Sequence, residues 1–315
     1  MLPKGIIDLH CDTLTRRLKQ EKAAFNSLNE PSFQLALDKM PADVRWAQCF
    51  AIFIPDQYRG EEAVAFFDRY AESFDRQMAL FSDRILPCRS FSDLENAFSR
   101  EKFAAILTVE GGCVLAGDLK RVETIHRAGV RMVTLTWNGP NEIGSGNVTR
   151  DGLTAFGREA VREMEEAGVL IDVSHLNDAG MADLLDTAKK PFVASHSNAR
   201  SVCGHLRNLT DDHIREMAAR RCLIGLNYYR DFLSDTGRGD LQDLWRHVCR
   251  FGELGALHCL ALGSDYDGAD IHPDLDSVEK SLRIGEDLVS RGLSREAADG
   301  IMFGNACRFF RENLR

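Results

Sequence analysis

The chain has 315 residues, 44% of them hydrophobic, with 39 basic against 48 acidic side chains and a net charge of -9. That balance, with no block of Lys or Arg, argues against nucleic acid or an anionic membrane as a partner, because phosphate binding needs a basic footprint. No run approaches the roughly 18 apolar residues of a membrane span, and Met1 to Gly5 leads into the first apolar run with no signal-like segment, so the expectation is a cytoplasmic protein without membrane contact.

Apolar, β-rich runs recur along the chain with helical patterns between most of them. They are Ile6–Leu9, Ala47–Ile54, Ala104–Val109, Met132–Thr136, Leu170–Val173, Phe192–Ser195, Leu223–Leu226 and Leu260–Gly263. Near-continuous apolar strands imply burial on both faces, as in a parallel sheet covered by helices. Eight such units in a chain of this length predict a (β/α)8 TIM-type barrel, with an open doubly wound sheet as the alternative. No repeat or linker interrupts the pattern, so residues 1–315 read as one domain.

Between these runs, Glu61 to Phe81 carries Ala63, Phe66, Phe67, Tyr70, Phe74, Met78 and Phe81 at three-and-four spacing, the mark of an amphipathic helix packed on a core. Ser92-Asp93-Leu94-Glu95 has capping-box spacing and predicts the start of a short helix. Further helices are predicted over 119–128, 156–167, 179–187, 211–220, 241–254 and 278–290. The stretch from about 14 to 44 is longer than one helix needs and reads as an insertion after the first strand. Residues 294–315 read as two short helices around Gly304-Asn305 that close the barrel. The nine cysteines are scattered, with no Cys-x-x-Cys pair, which points to reduced thiols rather than a disulfide framework.

Barrel enzymes carry their chemistry at the C-terminal ends of the strands, and here those ends are polar. The first is followed by His10 and Asp12, the third by Glu110-Gly111-Gly112, the fourth by Trp137-Asn138, the fifth by Asp172-Val173-Ser174-His175, the sixth by His196, the seventh by Asn227-Tyr228 and the eighth by Ser264-Asp265-Tyr266-Asp267. Strand alternation lets His10 and Asp12 share a face, with Cys11 on the other. An imidazole and a carboxylate so placed suit a metal ion, or else form an ordinary hydrogen-bonded pair.

In this order, Ile7-Asp8-Leu9-His10-Cys11-Asp12, Val109-Glu110-Gly111-Gly112, Asp172-Val173-Ser174-His175, Ala194-Ser195-His196-Ser197, Arg207-Asn208-Leu209-Thr210-Asp211 and Gly263-Ser264-Asp265-Tyr266-Asp267-Gly268 resemble the membrane dipeptidase (renal dipeptidase) family of zinc peptidases, in its bacterial, soluble form. The resemblance covers nearly the whole chain, and Phe303-Gly304-Asn305 fits the family's closing motif. It implies two Zn²⁺ per chain, one on His10 and Asp12, the other on His175 and His196, with Glu110 bridging both and a shared water between them. It also implies Asp265 as the group that handles the proton, and Arg207 as the group that grips the substrate's C-terminal carboxylate. The substrate so implied is a dipeptide, those with a D-residue at the C-terminal position included, and a homodimer is the expected assembly.

Alternatives stand beside these roles. Asp265 could only orient a ligand, and Arg207 could be a surface ion pair. Tyr228 is a candidate pocket residue. Asp267 and Asp270 read as loop carboxylates, and the remaining histidines as structural or solvated. Many relatives carry a His where this chain has Trp137. Trp is a donor that cannot titrate, so Trp137 Nε1 or Asn138 is left to contact the substrate. An amidase for another small substrate, such as an N-acyl amino acid or cyclic amide, and a metal-binding protein without activity are the competing readings of the same residues.

Overall fold

Nine strands, all parallel, form the sheet of the computed structural model, which describes residues 5–19 and 27–315. They are β1 (Gly5–Cys11), β2 (Arg45–Phe53), β3 (Ile85–Pro87), β4 (Phe103–Glu110), β5 (Val130–Thr134), β6 (Leu170–Asp172), β7 (Val193–Ala194), β8 (Leu223–Leu226) and β9 (Leu260–Leu262). The order β2-β1-β9-β8-β7-β6-β5-β4 closes on itself because β2 also pairs with β4, from Ala47 opposite Ala104 to Phe53 opposite Glu110. This is the expected eight-stranded (β/α)8 barrel. The ninth strand was not expected. Short β3 lies against the start of β4, with Ile85 opposite Phe103, and β5 takes over the same edge only from Leu107 onward.

The helices follow the predicted periodicities, with differences at their ends. They are α1 (Thr13–Lys19), α2 (Gly60–Leu80), α3 (Phe91–Ser99), α4 (Lys120–Arg127), α5 (Ala155–Ala167), α6 (Asp178–Thr187), α7 (Asp211–Ala219), α8 (Arg230–Leu233), α9 (Leu241–Glu253), α10 (Val278–Ser290), α11 (Arg295–Asp299) and α12 (Asn305–Asn313). The capping box of α3 is Ser90 with Asp93, not Ser92 with Glu95: Ser90 Oγ accepts from Asp93 N, and the Asp93 carboxylate accepts from Ser90 N. Both pairs have the required spacing, and the earlier one wins because Ser90 is the residue with extended backbone. Gly304 and Asn305 do not break the C-terminal segment, since a π-helical turn, Gly300–Gly304, joins α11 to α12. Of the insertion predicted over 14–44, residues 20–26 lie outside the described residues. The rest holds α1 and two 3-10 turns, Ser27–Asn29 and Leu37–Lys39.

One cluster of buried residues draws Ile7, Leu9, Ala47, Cys49, Ala104, Ile106, Met132, Leu170, Val193, Leu223 and Ala261 from all eight barrel strands and adds Phe309 and Phe310 of α12. Side chains contributed by every strand fill the barrel from its N-terminal end. The larger cluster, with Phe67 and Phe74 of α2, Val161 of α5 and Val248 of α9, packs helices on the outside. Close approach of strands has a visible cost in sequence freedom. A Cβ on Gly225 or on Gly263 would stand 2.0 Å from the Ser195 carbonyl oxygen. With its lower half packed, the barrel leaves the C-terminal end for chemistry. All nine cysteines are free.

Candidate active site

Five strands deliver side chains to one point. Glu110 ends β4, His10 lies at the end of β1, and His175, His196 and Asp265 follow β6, β7 and β9. Oε1 of Glu110 is 2.7 Å from His175 Nε2 and 3.9 Å from His196 Nε2, while Oε2 is 3.5 Å from His10 Nε2. His10 Nε2 is also 4.0 Å from Asp12 Oδ1 and 3.9 Å from Asp265 Oδ1. It is buried and makes no hydrogen bond. A buried ring nitrogen surrounded by carboxylate oxygens, all beyond hydrogen-bond length, has the geometry of a ligand rather than of a donor.

The tautomers agree with that reading. Ser195 Oγ gives its one hydrogen to Asp172 Oδ2 at 2.6 Å, so at its 2.7 Å contact with His196 Nδ1 it must accept. Nδ1 of His196 therefore carries the ring proton, and Nε2 faces the cluster with a lone pair. The same logic holds for His175, whose Nδ1 lies 3.1 Å from the acceptor Oδ1 of Asn138. The two Nε2 atoms stand 3.1 Å apart. Two lone pairs at that distance would repel each other, and a cation bound by both would relieve that repulsion. Neutral imidazole and carboxylate are the donor set of Zn²⁺ and its neighbours in hardness, and groups of three, His10, Glu110, His196 and His10, Asp12, Asp265, each converge within 4.8 Å.

Electrostatics points the same way. Burial opposes a charge on His10, yet Glu110, Asp12 and Asp265 together outweigh it and lift the imidazole to about 10. The carboxylates thus call for positive charge at this spot, and a divalent ion meets the demand with the ring neutral. Burial, helped by Arg207, pushes His175 down to about 4, and burial with His10 takes His196 well below its usual range. Burial and the charge of Glu110 raise Asp265 above the ordinary carboxylate range. His175 and Asp265 adopt left-handed backbone, φ 71° and 62°, a conformation disfavoured for residues with a Cβ and stored where the surroundings dictate side-chain aim.

The cavity above the cluster has a volume of about 470 Å³ and is lined by Asp12, Thr15, Arg16, Phe53, Glu110, Trp137, Asn138, His175, Tyr229, Phe232, Asp265 and the 267–270 loop. Gly268 permits this loop to close on the site, for a Cβ there would meet Asp12 Oδ2 at 2.0 Å. Tyr228 is not part of the lining. It is 0% exposed and its ring packs edge-on against Tyr266, so the neighbouring Tyr229 faces the cavity instead. The first residues after β8 point alternately, and nothing in the residue types marks which one faces inward. Arg207 is 5% exposed and stands behind the lining, its guanidinium 5.2 Å from the Phe232 ring and donating to His196 O at 3.3 Å. Its Nε is buried without a partner. Burial brings it down to about 10, so it is charged at neutral pH.

Asp267, read from sequence as a loop carboxylate, is buried. It accepts from Thr13 Oγ1 at 2.6 Å, from Gln34 N at 2.9 Å and from Arg16 at 3.2 Å, and so ties the chain after β1 to the loop after β9. Asp8 does similar work lower down, accepting from Ser264 N at 2.9 Å. Asp270, in contrast, is an exposed loop carboxylate 3.6 Å from Arg230.

The family model described as membrane dipeptidase (peptidase family M19) matches residues 3–314. The chain belongs to this family. It is 31% identical over 244 residues to dipeptidase tcpJ of Claviceps purpurea, a match covering 75% of this chain and 57% of that protein. It is 30% identical over 237 residues to an uncharacterized protein in the pqqA 5' region of Klebsiella pneumoniae, covering 71% of this chain and 88% of the relative. Among solved structures, a dipeptidase described as a family M19 metallopeptidase superposes with a TM-score of 0.92 at 25% identity, over 98% of each chain. A metallopeptidase from Rhodobacter sphaeroides, liganded with a phosphinate mimic of the dipeptide L-Ala-D-Ala, gives 0.91 at 24% identity, over 99% of this chain and 100% of that one. Trp137 stands 6.4 Å from the His175 ring, centroid to centroid, on the cavity wall. Among the described residues no helix is long and apolar enough to cross a membrane.

Proposed function

We propose that this chain is a metallo-dipeptidase that hydrolyses the peptide bond of dipeptides at a two-zinc site. The observation that carries the reading is the division of Glu110 between its neighbours, with one oxygen toward His175 and the other toward His10. A carboxylate so divided suits a bridge between an ion on His10 and Asp12 and an ion on His175 and His196. When bound, such a pair of ions supplies Lewis-acid polarisation of the scissile carbonyl and a hydroxide near neutral pH, so no Ser or Cys nucleophile is needed.

The chain's own groups do the rest. Asp265 lies on the cavity wall beside His10, with Oδ2 held by Asn227 Nδ2 at 3.1 Å. From there it takes the proton of the attacking water and returns it to the leaving amine. Arg207, charged and with Nε unpaired, binds the substrate's C-terminal carboxylate, the planar fork matching its two oxygens. Asn138 fixes His175 and leaves Trp137 to touch the substrate. The test is a turnover screen with added Zn²⁺, in which L,L and L,D dipeptides, L-Ala-D-Ala among them, run beside N-acyl amino acids and cyclic amides. Cleavage of free dipeptides supports the reading. Turnover of the acylated or cyclic compounds alone assigns the site to the amidase alternative.

A further inference from the structure

Around the barrel the strands run β1, β2, β4, β5, β6, β7, β8, β9. Phe53 ends β2 and Trp137 follows β5, so this pair is centred on β4, and the strand directly across from β4 is β8. After β8 come Tyr229 and Phe232. The cavity therefore has two aromatic faces on opposite sides, each an edge-to-face pair: Phe53 with Trp137 at 4.8 Å and Tyr229 with Phe232 at 4.7 Å. Glu110, His175 and Asp265 line the same cavity. Arg207 stacks on Phe232, which marks that side as the carboxylate end.

The Trp137 face is held firmly. Asp56 Oδ2 accepts from Gly139 N at 2.7 Å, Arg59 donates to Pro140 O at 2.7 Å, and Val148 N donates to Asn138 O at 3.2 Å. The cavity's other charged groups, Asp12, Arg16 paired with Asp267, and Asp270, follow β1 and β9.

We propose that Phe53 and Trp137 form the subsite for the side chain of the dipeptide's N-terminal residue, and that it selects a large apolar or aromatic side chain. This rests on the dipeptidase reading with Arg207 as carboxylate clamp. A dipeptide has one Cα on each side of its scissile bond, about 3.8 Å apart. With the carboxylate end on the β7–β8 side and the reacting carbonyl over Glu110 and His175, the N-terminal residue falls on the β2–β5 side. Two rings there reward apolar area and aromatic edges. A charged side chain would be desolvated against the two rings.

The experiment compares kcat/KM on zinc-loaded protein for Phe-Ala, Leu-Ala, Gly-Ala, Lys-Ala and Glu-Ala, with Ala-Phe and Ala-Gly as the reversed pair. Phe-Ala is expected to exceed Gly-Ala by about ten- to a hundredfold, the scale of burying one large side chain, with Lys-Ala and Glu-Ala no better than Gly-Ala. In Trp137→Ala, and in Phe53→Leu as an independent variant, the Phe-Ala to Gly-Ala ratio should fall several-fold while the Ala-Phe to Ala-Gly ratio stays put. The ratio is immune to a uniform loss of activity or of folded protein. Dipeptide turnover with a Phe-Ala to Gly-Ala ratio near one, or a ratio unchanged in both variants, overturns the subsite while leaving the dipeptidase reading intact. No turnover of any dipeptide overturns both.

Discussion

Oε1 of Glu110 lies 2.7 Å from Nε2 of His175, and the other oxygen of the same carboxylate is left to His10 at 3.5 Å. If each oxygen serves a different ion, loss of the carboxylate disturbs both. Glu110→Ala is expected to retain well under half of the metal content of the wild type, measured by elemental analysis after gel filtration. A variant that keeps one ion at full occupancy shows that Glu110 belongs to a single site.

Asp265 should separate metal binding from turnover. It reaches His10 only at 3.9 Å and is anchored by Asn227. Asp265→Asn is expected to keep both ions and to lower kcat by roughly 10²-fold or more, the scale of a general acid–base group. Loss of one ion in this variant would instead make Asp265 a third ligand beside His10 and Asp12.

For the carboxylate clamp, a dipeptide and its C-terminal amide are the informative pair. A charge-assisted hydrogen bond contributes about 1.5–3 kcal/mol, so the amide should lose at least about tenfold in kcat/KM. Arg207→Ala should weaken the free acid and leave the amide nearly unchanged. Arg207→Lys should rescue little, because an ammonium lacks the planar fork. Equal cleavage of acid and amide by the wild type would remove Arg207 from the substrate.

A structural histidine sets an acid limit on stability. His247 is fully buried; its Nδ1 accepts from Ala199 N at 3.1 Å and its Nε2–H donates to Leu233 O at 3.0 Å. Burial holds it down to about 4, against about 6.5 in the unfolded chain. The unfolded state therefore binds the extra proton between these values, and stability, fully present above about pH 6.5, falls as pH drops toward 4. The loss attributable to this group is on the order of 3 kcal/mol. In urea titrations of metal-free protein, His247→Gln should be less stable than wild type at pH 7 and lose that much less between pH 7 and 4. Parallel curves would show that His247 does not titrate in this window.

The sequence carried the barrel because eight buried parallel strands leave eight apolar runs, and the candidate ligands could be picked out because His and carboxylates stand at their ends. Strand β3 was hidden, since Ile85–Pro87 is too short to show a period and ends in Pro. The supports were hidden for another reason. Asp8, Asp172, Ser195 and Asp267 act through contacts between strands or loops far apart in sequence, and nothing local distinguishes a carboxylate that binds a neighbouring loop from one in solvent. Tyr228 and Tyr229 show the limit most plainly. Adjacent residues of one type after β8 differ only in which way the chain turns them, and that direction comes from Tyr266 packing on Tyr228.

The most direct test is reconstitution. Protein stripped of metal by a chelator is titrated with Zn²⁺ while hydrolysis of a dipeptide with free ends is followed by release of its amino acids. The expected result is no measurable turnover without metal and activity that rises to a plateau at about two Zn²⁺ per chain. Full activity in the stripped protein, a plateau at one ion, or no dipeptide hydrolysis with two ions bound would contradict a two-zinc dipeptidase.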